Sequence, residues 1–332
     1  MTLETRPLGG TSLEVTVLGL GGATLGGNMA NLSDDDGRKL VEAGWDAGIR
    51  YFDTAPFYGY GRSEHMMGDG LRRETGWVLS TKVGRILAPR KTPQSADDPW
   101  TAPLPFEPRF DYGYDGAMRS YEDSLQRLGL DHIDILYIHD IDDFTHGPDA
   151  QPAMHRAAME GTYRALDELR RNGDIKAIGI GVNESKPIRD ALDHGRWDAF
   201  LLAGRYTLLE QDPLDDLFPA LEKHGASVVI GGPFNSGILA GRETWNYSRA
   251  PQAVLDRVKA IAAVCDAHGV PLPAAALQFP LAHPIVSSVI PGPRSAAELQ
   301  QIVAWMALPI GPALWSDLKG EGLVPQHTPT PA

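Results

Sequence analysis

A carboxylate and a phenol, Asp53 and Tyr58, share the stretch Tyr51-Phe52-Asp53-Thr54-Ala55-Pro56-Phe57-Tyr58-Gly59. Its apolar start reads as a buried strand ending on Asp53, and Pro56 breaks the run so that Tyr58 falls in the loop beyond. Lys82 closes a second run, Trp77-Val78-Leu79-Ser80-Thr81, and His139 closes a third, Ile133-Asp134-Ile135-Leu136-Tyr137-Ile138. If all three runs are strands of one sheet, an Asp, a Tyr, a Lys and a His converge from three strand ends. Such a set suits proton exchange at a substrate oxygen. A free phenol titrates near pH ~10, and a neighbouring ammonium stabilises its phenolate. In this constellation Asp53 holds Lys82 charged and in place, Tyr58 gives or takes the proton, and His139 hydrogen-bonds the reacting oxygen.

The elements that must position these groups alternate along the chain. Residues 6–18, around Gly9-Gly10, read as a hairpin leading into a strand from Val15 to Leu20. Ser33 to Asp36 caps a helix to Ala47, with Gly48 as its stop, and Ser63 to Leu71 is a second helix. Residues 83–112 carry six prolines from Pro89 to Pro108, which predicts an irregular segment; a loop of that length in a compact fold serves as a wall of a substrate pocket. Asp115 caps the next helix, whose Met118, Tyr121, Leu125 and Leu128 share a face, and Asp140 to Pro152 forms a second polar loop. A helix from Met154 to Arg171 follows. Strands at Ile175–Val182, Ala199–Ala203, Ser227–Ile230 and Val286–Ile290 continue the alternation, with helices between them and a last helix from Ser295 to Met306. The regular repetition of near-continuous apolar strands and helices predicts a parallel (β/α)8 barrel of one domain over residues 1–332, with an N-terminal hairpin and long loops at the C-terminal face. In that fold the four residues stand where barrel enzymes keep their chemistry.

Composition narrows the function classes. A net charge of −13 without a Lys/Arg-rich run argues against nucleic acid or an anionic membrane as partner. The single cysteine, Cys265, excludes an internal disulfide and a cysteine metal cluster and fits a reducing compartment. The first seven residues are charged and precede no apolar run, so a soluble cytoplasmic protein is expected. No His/Asp/Glu set has metal-ligand spacing, and there is no Gly-x-Ser-x-Gly elbow. Gly19-Leu20-Gly21-Gly22-Ala23-Thr24 carries Thr where a Rossmann fingerprint needs its third glycine.

The order Asp53, Tyr58, Lys82, His139 and the segments that carry these residues resemble the aldo-keto reductase superfamily, over a span from Leu8-Gly9 to Leu318. Phe110-Asp111-Tyr112, Tyr137-Ile138-His139-Asp140-Ile141-Asp142 and Leu202-Ala203-Gly204-Arg205-Tyr206 are most similar to a bacterial branch of D-threo-aldose 1-dehydrogenases, L-fucose dehydrogenases and pyridoxal 4-dehydrogenase. The resemblance implies an NAD(P)-dependent oxidoreductase that interconverts an alcohol and a carbonyl. Within the branch it favours oxidation of a free aldose (L-fucose, D-arabinose or L-galactose type) at its anomeric carbon to a lactone. Pyridoxal oxidation and general aldehyde reduction are the alternatives in that class. A non-catalytic, nicotinamide-sensing regulatory subunit is the alternative outside it, against which the intact set of four speaks.

No side chain can accept or donate a hydride, so a bound nicotinamide is implied. The resemblance places its carboxamide at the family's Ser-Asn pair, which falls on Asn183 and Glu184 here; Asn183 can still donate and accept, Glu184 is a departure, and Ala203 stands where the family carries Gln. Its adenosine phosphate falls on Ile290-Pro291-Gly292-Pro293-Arg294-Ser295-Ala296-Ala297-Glu298, at the start of the last helix. Gly292, Arg294, Ser295 and Glu298 are the expected contacts. Glu298 favours a ribose 2′-hydroxyl over a 2′-phosphate, and Arg294 the reverse; NAD is the preferred expectation over NADP. The sequence leaves the oligomeric state open.

Overall fold

The computed structural model describes residues 2–28 and 31–332. Two short strands, β1 (Thr5–Pro7) and β2 (Glu14–Thr16), form the antiparallel hairpin. The barrel strands are β3 (Leu20–Gly21), β4 (Tyr51–Asp53), β5 (Val78–Val83), then, after the excursion β6 (Arg85–Pro89) and β7 (Phe106–Phe110), β8 (Ile135–His139), β9 (Ala177–Val182), β10 (Ala199–Ala203) and β11 (Ser227–Gly231). The small hairpin β12 (Thr244–Trp245) and β13 (Ser248–Arg249) intervenes before the last, β14 (Val286–Ile290). The eight strands run parallel in the order β14-β11-β10-β9-β8-β5-β4-β3. Residues just before β3 close the ring: Gly19 N–H donates to Val289 O at 2.9 Å, and Val289 N–H to Val17 O at 2.9 Å. The expected (β/α)8 barrel is therefore present.

Side-chain alternation along the strands divides the apolar residues into two layers. Phe52, Leu79, Leu136, Ile138, Ile178 and Ile180 point outward into the large core shared with the helices. Tyr51, Val78, Ile135, Tyr137, Ala199, Leu201 and Val229 point inward, where Leu8, Leu13 and Val15 of the hairpin plug the floor. Ser33 caps the first helix, Asp34–Asp46, by accepting from Asp36 N–H, as its sequence signature indicates.

Several connections differ from the sequence-based expectation. Residues 83–112 are not wholly irregular, because β6 and β7 pair in register from Arg85↔Phe110 to Pro89↔Phe106. An isolated two-stranded ribbon leaves one edge of each strand unpaired, so Pro89 and Pro108 are tolerated there. The expected polar loop 140–152 contains a helix, Asp143–Ala157, interrupted at Gly147 (φ 74°) ahead of Pro148 and capped by Asp142, which accepts from Thr145 N–H. Asp115 lies in the first turn of the helix Tyr114–Leu128 rather than at its cap, which is Gly113. Among the described residues no single helix is long and apolar enough to cross a membrane, and no group of His, Cys, Asp and Glu could hold a metal ion.

Candidate active site

The same alternation that sends Phe52, Thr81 and Ile138 outward turns Asp53, Lys82 and His139 inward at the C-terminal ends of adjacent strands β4, β5 and β8. Lys82 Nζ donates to Asp53 Oδ2 at 2.7 Å and to the Thr54 carbonyl at 2.8 Å. Ser80 Oγ donates to the other carboxylate oxygen, Oδ1, at 2.7 Å. With side-chain exposures of 1% and 3%, Lys82 and Asp53 are a fully buried ion pair. The Tyr58 ring leans over this pair, 4.7 Å from Nζ to its centroid, and meets the His139 ring edge-on at 5.9 Å. All four sequence-predicted residues thus come together. Tyr58, Lys82 and His139 line one cavity with Phe57, Trp100 and Phe144. Trp100 comes from the excursion after β5, the expected pocket wall.

The electrostatics depart from the simplest expectation. Burial pushes the Tyr58 phenol well above its ordinary value, the Asp53 and Asp140 carboxylates push the same way, and the Arg85 guanidinium opposes them. Lys82 does not dominate because Asp53 neutralises it at contact distance. Burial also drives the His139 imidazole well below its ordinary value, helped by Arg85 and Lys82. At neutral pH the cavity therefore holds a protonated phenol beside a neutral imidazole, a proton donor for reduction and, once deprotonated, an acceptor for oxidation.

A second cleft adjoins this cavity through Ala23, Asn28, Tyr58, Asn183, Ala203 and Tyr247. Of the five expected cofactor contacts, Asn183, Gly292, Arg294 and Glu298 line it. Ser295 is instead the N-cap of the helix Ala296–Ala307, accepting from Glu298 N–H at 3.1 Å. Arg294 and Glu298 do not oppose each other. Glu298 accepts from the Arg294 main-chain N–H at 2.7 Å and from its guanidinium at 2.9–3.0 Å, an i,i+4 pair that leaves neither charge free. Glu184 accepts from Asp143 N–H at 2.9 Å, a tie to the first residue of the helix Asp143–Ala157. Asn183 Oδ1 accepts from the Tyr247 hydroxyl at 3.0 Å.

The cleft fits an extended dinucleotide. Gly204 (φ 66°) and Gly232 (φ 55°) line it, and a Cβ at either would meet nothing nearer than 3.8 Å, so it would project into open groove. Asn235 Oδ1, buried in the same wall, has no partner. Asn183, Gly292 and the Arg294–Glu298 pair are the residues that would hold the dinucleotide along this groove.

Sequence inspection missed Arg85, Trp100 and Tyr247, and it quoted Asp140 without a role. Arg85 and Trp100 lie in the proline-rich stretch that masked a ribbon, and Tyr247 sits in a turn with no pattern of its own. Only the adjacency of Asp140 to His139 was a readable signal.

A buried ammonium–carboxylate pair beneath a phenol, beside a groove for a dinucleotide, defines the class as a nicotinamide-dependent oxidoreductase on a barrel scaffold. A model of the Aldo/keto reductase family matches residues 17–320. A pyridoxal 4-dehydrogenase from Microbacterium luteolum is 47% identical over 337 residues, covering 97% of this chain and 98% of the relative. A D-threo-aldose 1-dehydrogenase from a Pseudomonas species is 39% identical over 326 residues, covering 94% and 96%. Among solved structures, the holo form of an aldo-keto reductase from Bacillus halodurans superposes with a TM-score of 0.75 at 25% identity, covering 98% of this chain and 99% of that one. The chain belongs to the aldo/keto reductase family and is an NAD(P)-dependent oxidoreductase.

Proposed function

We propose that the protein oxidises the hydroxyl-bearing carbon of a cyclic hemiacetal to a lactone, with NAD as preferred coenzyme. Tyr58 takes the hydroxyl proton, Lys82 and Asp53 hold its surroundings, and His139 hydrogen-bonds the reacting oxygen. The observation that carries this reading is the single cavity onto which Tyr58, Lys82 and His139 all open, directly beside the cleft of Asn183 and Gly292. When bound, the nicotinamide supplies the hydride acceptor. This chain's own residues bind the substrate, orient its oxygen and move its proton.

The substrate class follows from what the relatives' names have in common. Free aldoses close on themselves as hemiacetals at the anomeric carbon. Pyridoxal does the same, because its formyl and hydroxymethyl groups are neighbours on the ring. The aldose expected from sequence and the pyridoxal named in the relative with 47% identity are thus two forms of one chemistry. The aromatic wall of Phe57, Trp100 and Phe144 favours a substrate with a flat apolar face, a specific reason to keep pyridoxal beside the aldose. The coenzyme preference rests on the Arg294–Glu298 pair, which neutralises the cation that would meet a 2′-phosphate. We take all 332 residues to act as one unit.

The test follows reduced nicotinamide at its absorbance band while NAD and NADP are each offered with L-fucose, D-arabinose, L-galactose and pyridoxal, with the product identified as lactone or free acid. Lactone formation with NAD supports the proposal. Turnover confined to carbonyl reduction, or no turnover with any of the four, refutes it.

A further inference from the structure

Asp140 follows His139 at the mouth of the same cavity, and its backbone is unusual. It sits at φ 51°, in the left-handed region where Gly is the default and Asp or Asn the tolerated exceptions. Both of its backbone groups are fixed: its N–H donates to Gly181 O at 2.9 Å, and its carbonyl accepts from the Tyr112 hydroxyl at 2.8 Å. The bend that a left-handed residue provides here needs no side chain. A carboxylate nevertheless occupies it, nearly buried, and a nearly buried carboxylate requires compensation.

Arg85 of β6 supplies that compensation. Its Nη2 lies 2.8 Å from Asp140 Oδ2, with side-chain exposures of 6% and 14%. The guanidinium is gripped between two rings, Phe57 at 4.3 Å and Phe110 at 4.6 Å. The excursion hairpin after β5 thus reaches across to hold one carboxylate in one orientation. That carboxylate lines the cavity, and its Oδ2 lies 3.4 Å from His139 Nε2.

Resting on the functional reading above, we propose that Asp140, oriented by Arg85, is a specificity-determining residue that accepts a hydrogen bond from a hydroxyl flanking the reacting carbon of the substrate. His139 hydrogen-bonds the reacting oxygen, and a hydroxyl on the neighbouring position lies about one hydrogen-bond length further along the substrate. A carboxylate beside His139 Nε2 meets it there. Asn183, another acceptor of the cavity, is already engaged by Tyr247. Aldoses carry such a hydroxyl at C2, and pyridoxal carries its counterpart at ring position 3, one carbon further from the reacting formyl carbon but still beside it in space. Simple aldehydes lack it, and binding one would leave the carboxylate without a ligand donor. The pocket thereby separates hydroxylated hemiacetals from the general aldehydes that other barrels of this class could admit.

The test compares kcat/KM with NAD for L-fucose against 2-deoxy-L-fucose and for pyridoxal against 3-deoxypyridoxal, in the wild type and in Asp140→Asn. In the wild type the deoxy analogue of whichever parent turns over falls by about 10²-fold or more, as expected of a site built to bond a hydroxyl. In Asp140→Asn that preference shrinks to within about tenfold, because a neutral amide is the weaker acceptor. A merely structural role lowers parent and analogue alike and leaves the ratio where it was, which overturns the proposal. Equal wild-type rates for parent and analogue overturn it without any variant having to fold. Failure of both parents to turn over overturns the functional reading, and this inference with it.

Discussion

The two ends of the barrel interior are built from the same three strands, yet one is sealed and the other opens onto the proposed catalytic cavity. On the floor, Tyr51 and Tyr137 pack against the hairpin's Leu8, Leu13 and Val15, with Ser80 buried beside them. Their hydroxyls satisfy one another, with Tyr51 Oη 3.1 Å from Ser80 Oγ and 3.3 Å from Tyr137 Oη. Two residues further along the strands, Asp53, Lys82 and His139 form the rim. Burial pushes the phenols of Tyr51 and Tyr137 upward just as it does that of Tyr58. A shifted phenol therefore does not separate a reactive tyrosine from a structural one; access does, since Tyr58 lines both the cavity and the cleft while Tyr51 and Tyr137 have no exposed surface. Asp53 joins the two layers, taking Ser80 on one oxygen and Lys82 on the other.

The sharpest way to break this contrast is Tyr58→Phe. Removing the rim phenol is expected to lower kcat by about 10²–10⁴-fold, the range of a lost general acid–base group, while dinucleotide binding measured by fluorescence titration is retained. Turnover at the wild-type rate would move the reactive hydroxyl elsewhere. Lys82→Met should cripple turnover too, and it adds a loss that Tyr58→Phe lacks. It strands the buried Asp53 carboxylate, which costs about 3–5 kcal/mol and is read as a fall in denaturation midpoint. A Lys82→Met protein as stable as the wild type would mean that the pair carries no such strain.

Smaller effects are expected away from the rim. Glu298→Gln releases Arg294 and is predicted to raise kcat/KM for NADP relative to NAD by a few-fold to about tenfold, the scale of one partly exposed charge interaction. An unmoved ratio would place coenzyme choice elsewhere in the cleft. On the floor, Tyr137→Phe removes a hydroxyl whose partner Tyr51 keeps Ser80. It should cost about 0.5–1.5 kcal/mol of stability and leave kcat/KM within about twofold. A large catalytic loss there would erase the distinction between the two ends.

What the sequence made legible follows the same division. The barrel and the four rim residues were readable because strand alternation and strand-end placement are short-range properties of the sequence. The ion pair of Arg294 and Glu298 is legible in principle from its i,i+4 spacing, but the same two residue types at a helix start also suit separate contacts to a phosphate and a ribose, and spacing alone does not choose between the two. Arg85 was not readable. Its importance depends on a ribbon that brings it to Asp140, 55 positions away, and on two phenylalanines that grip it. The proline count, a reliable argument against helices and central strands, gave the wrong answer for a two-stranded ribbon with free edges. The helix Asp143–Ala157 escaped for a related reason, since Gly147, Pro148 and Pro152 advertise a loop while the Asp142 cap starts a helix.

In the proposed mechanism Tyr58, not His139, exchanges the substrate proton. The pH dependence of kcat/KM for hemiacetal oxidation at saturating NAD tests it most directly. Oxidation needs the phenolate, and burial weakens the phenol as an acid by pushing its pKa upward, so the base form grows as pH rises into the alkaline range; His139, held well below its ordinary value, stays neutral throughout. The rate is expected to climb from pH 7 into the alkaline range with no inflection near 6.5, and that climb is expected to be absent from Tyr58→Phe. A profile that levels off through an inflection near 6.5, and that survives in Tyr58→Phe, would assign the proton to the imidazole and contradict the account.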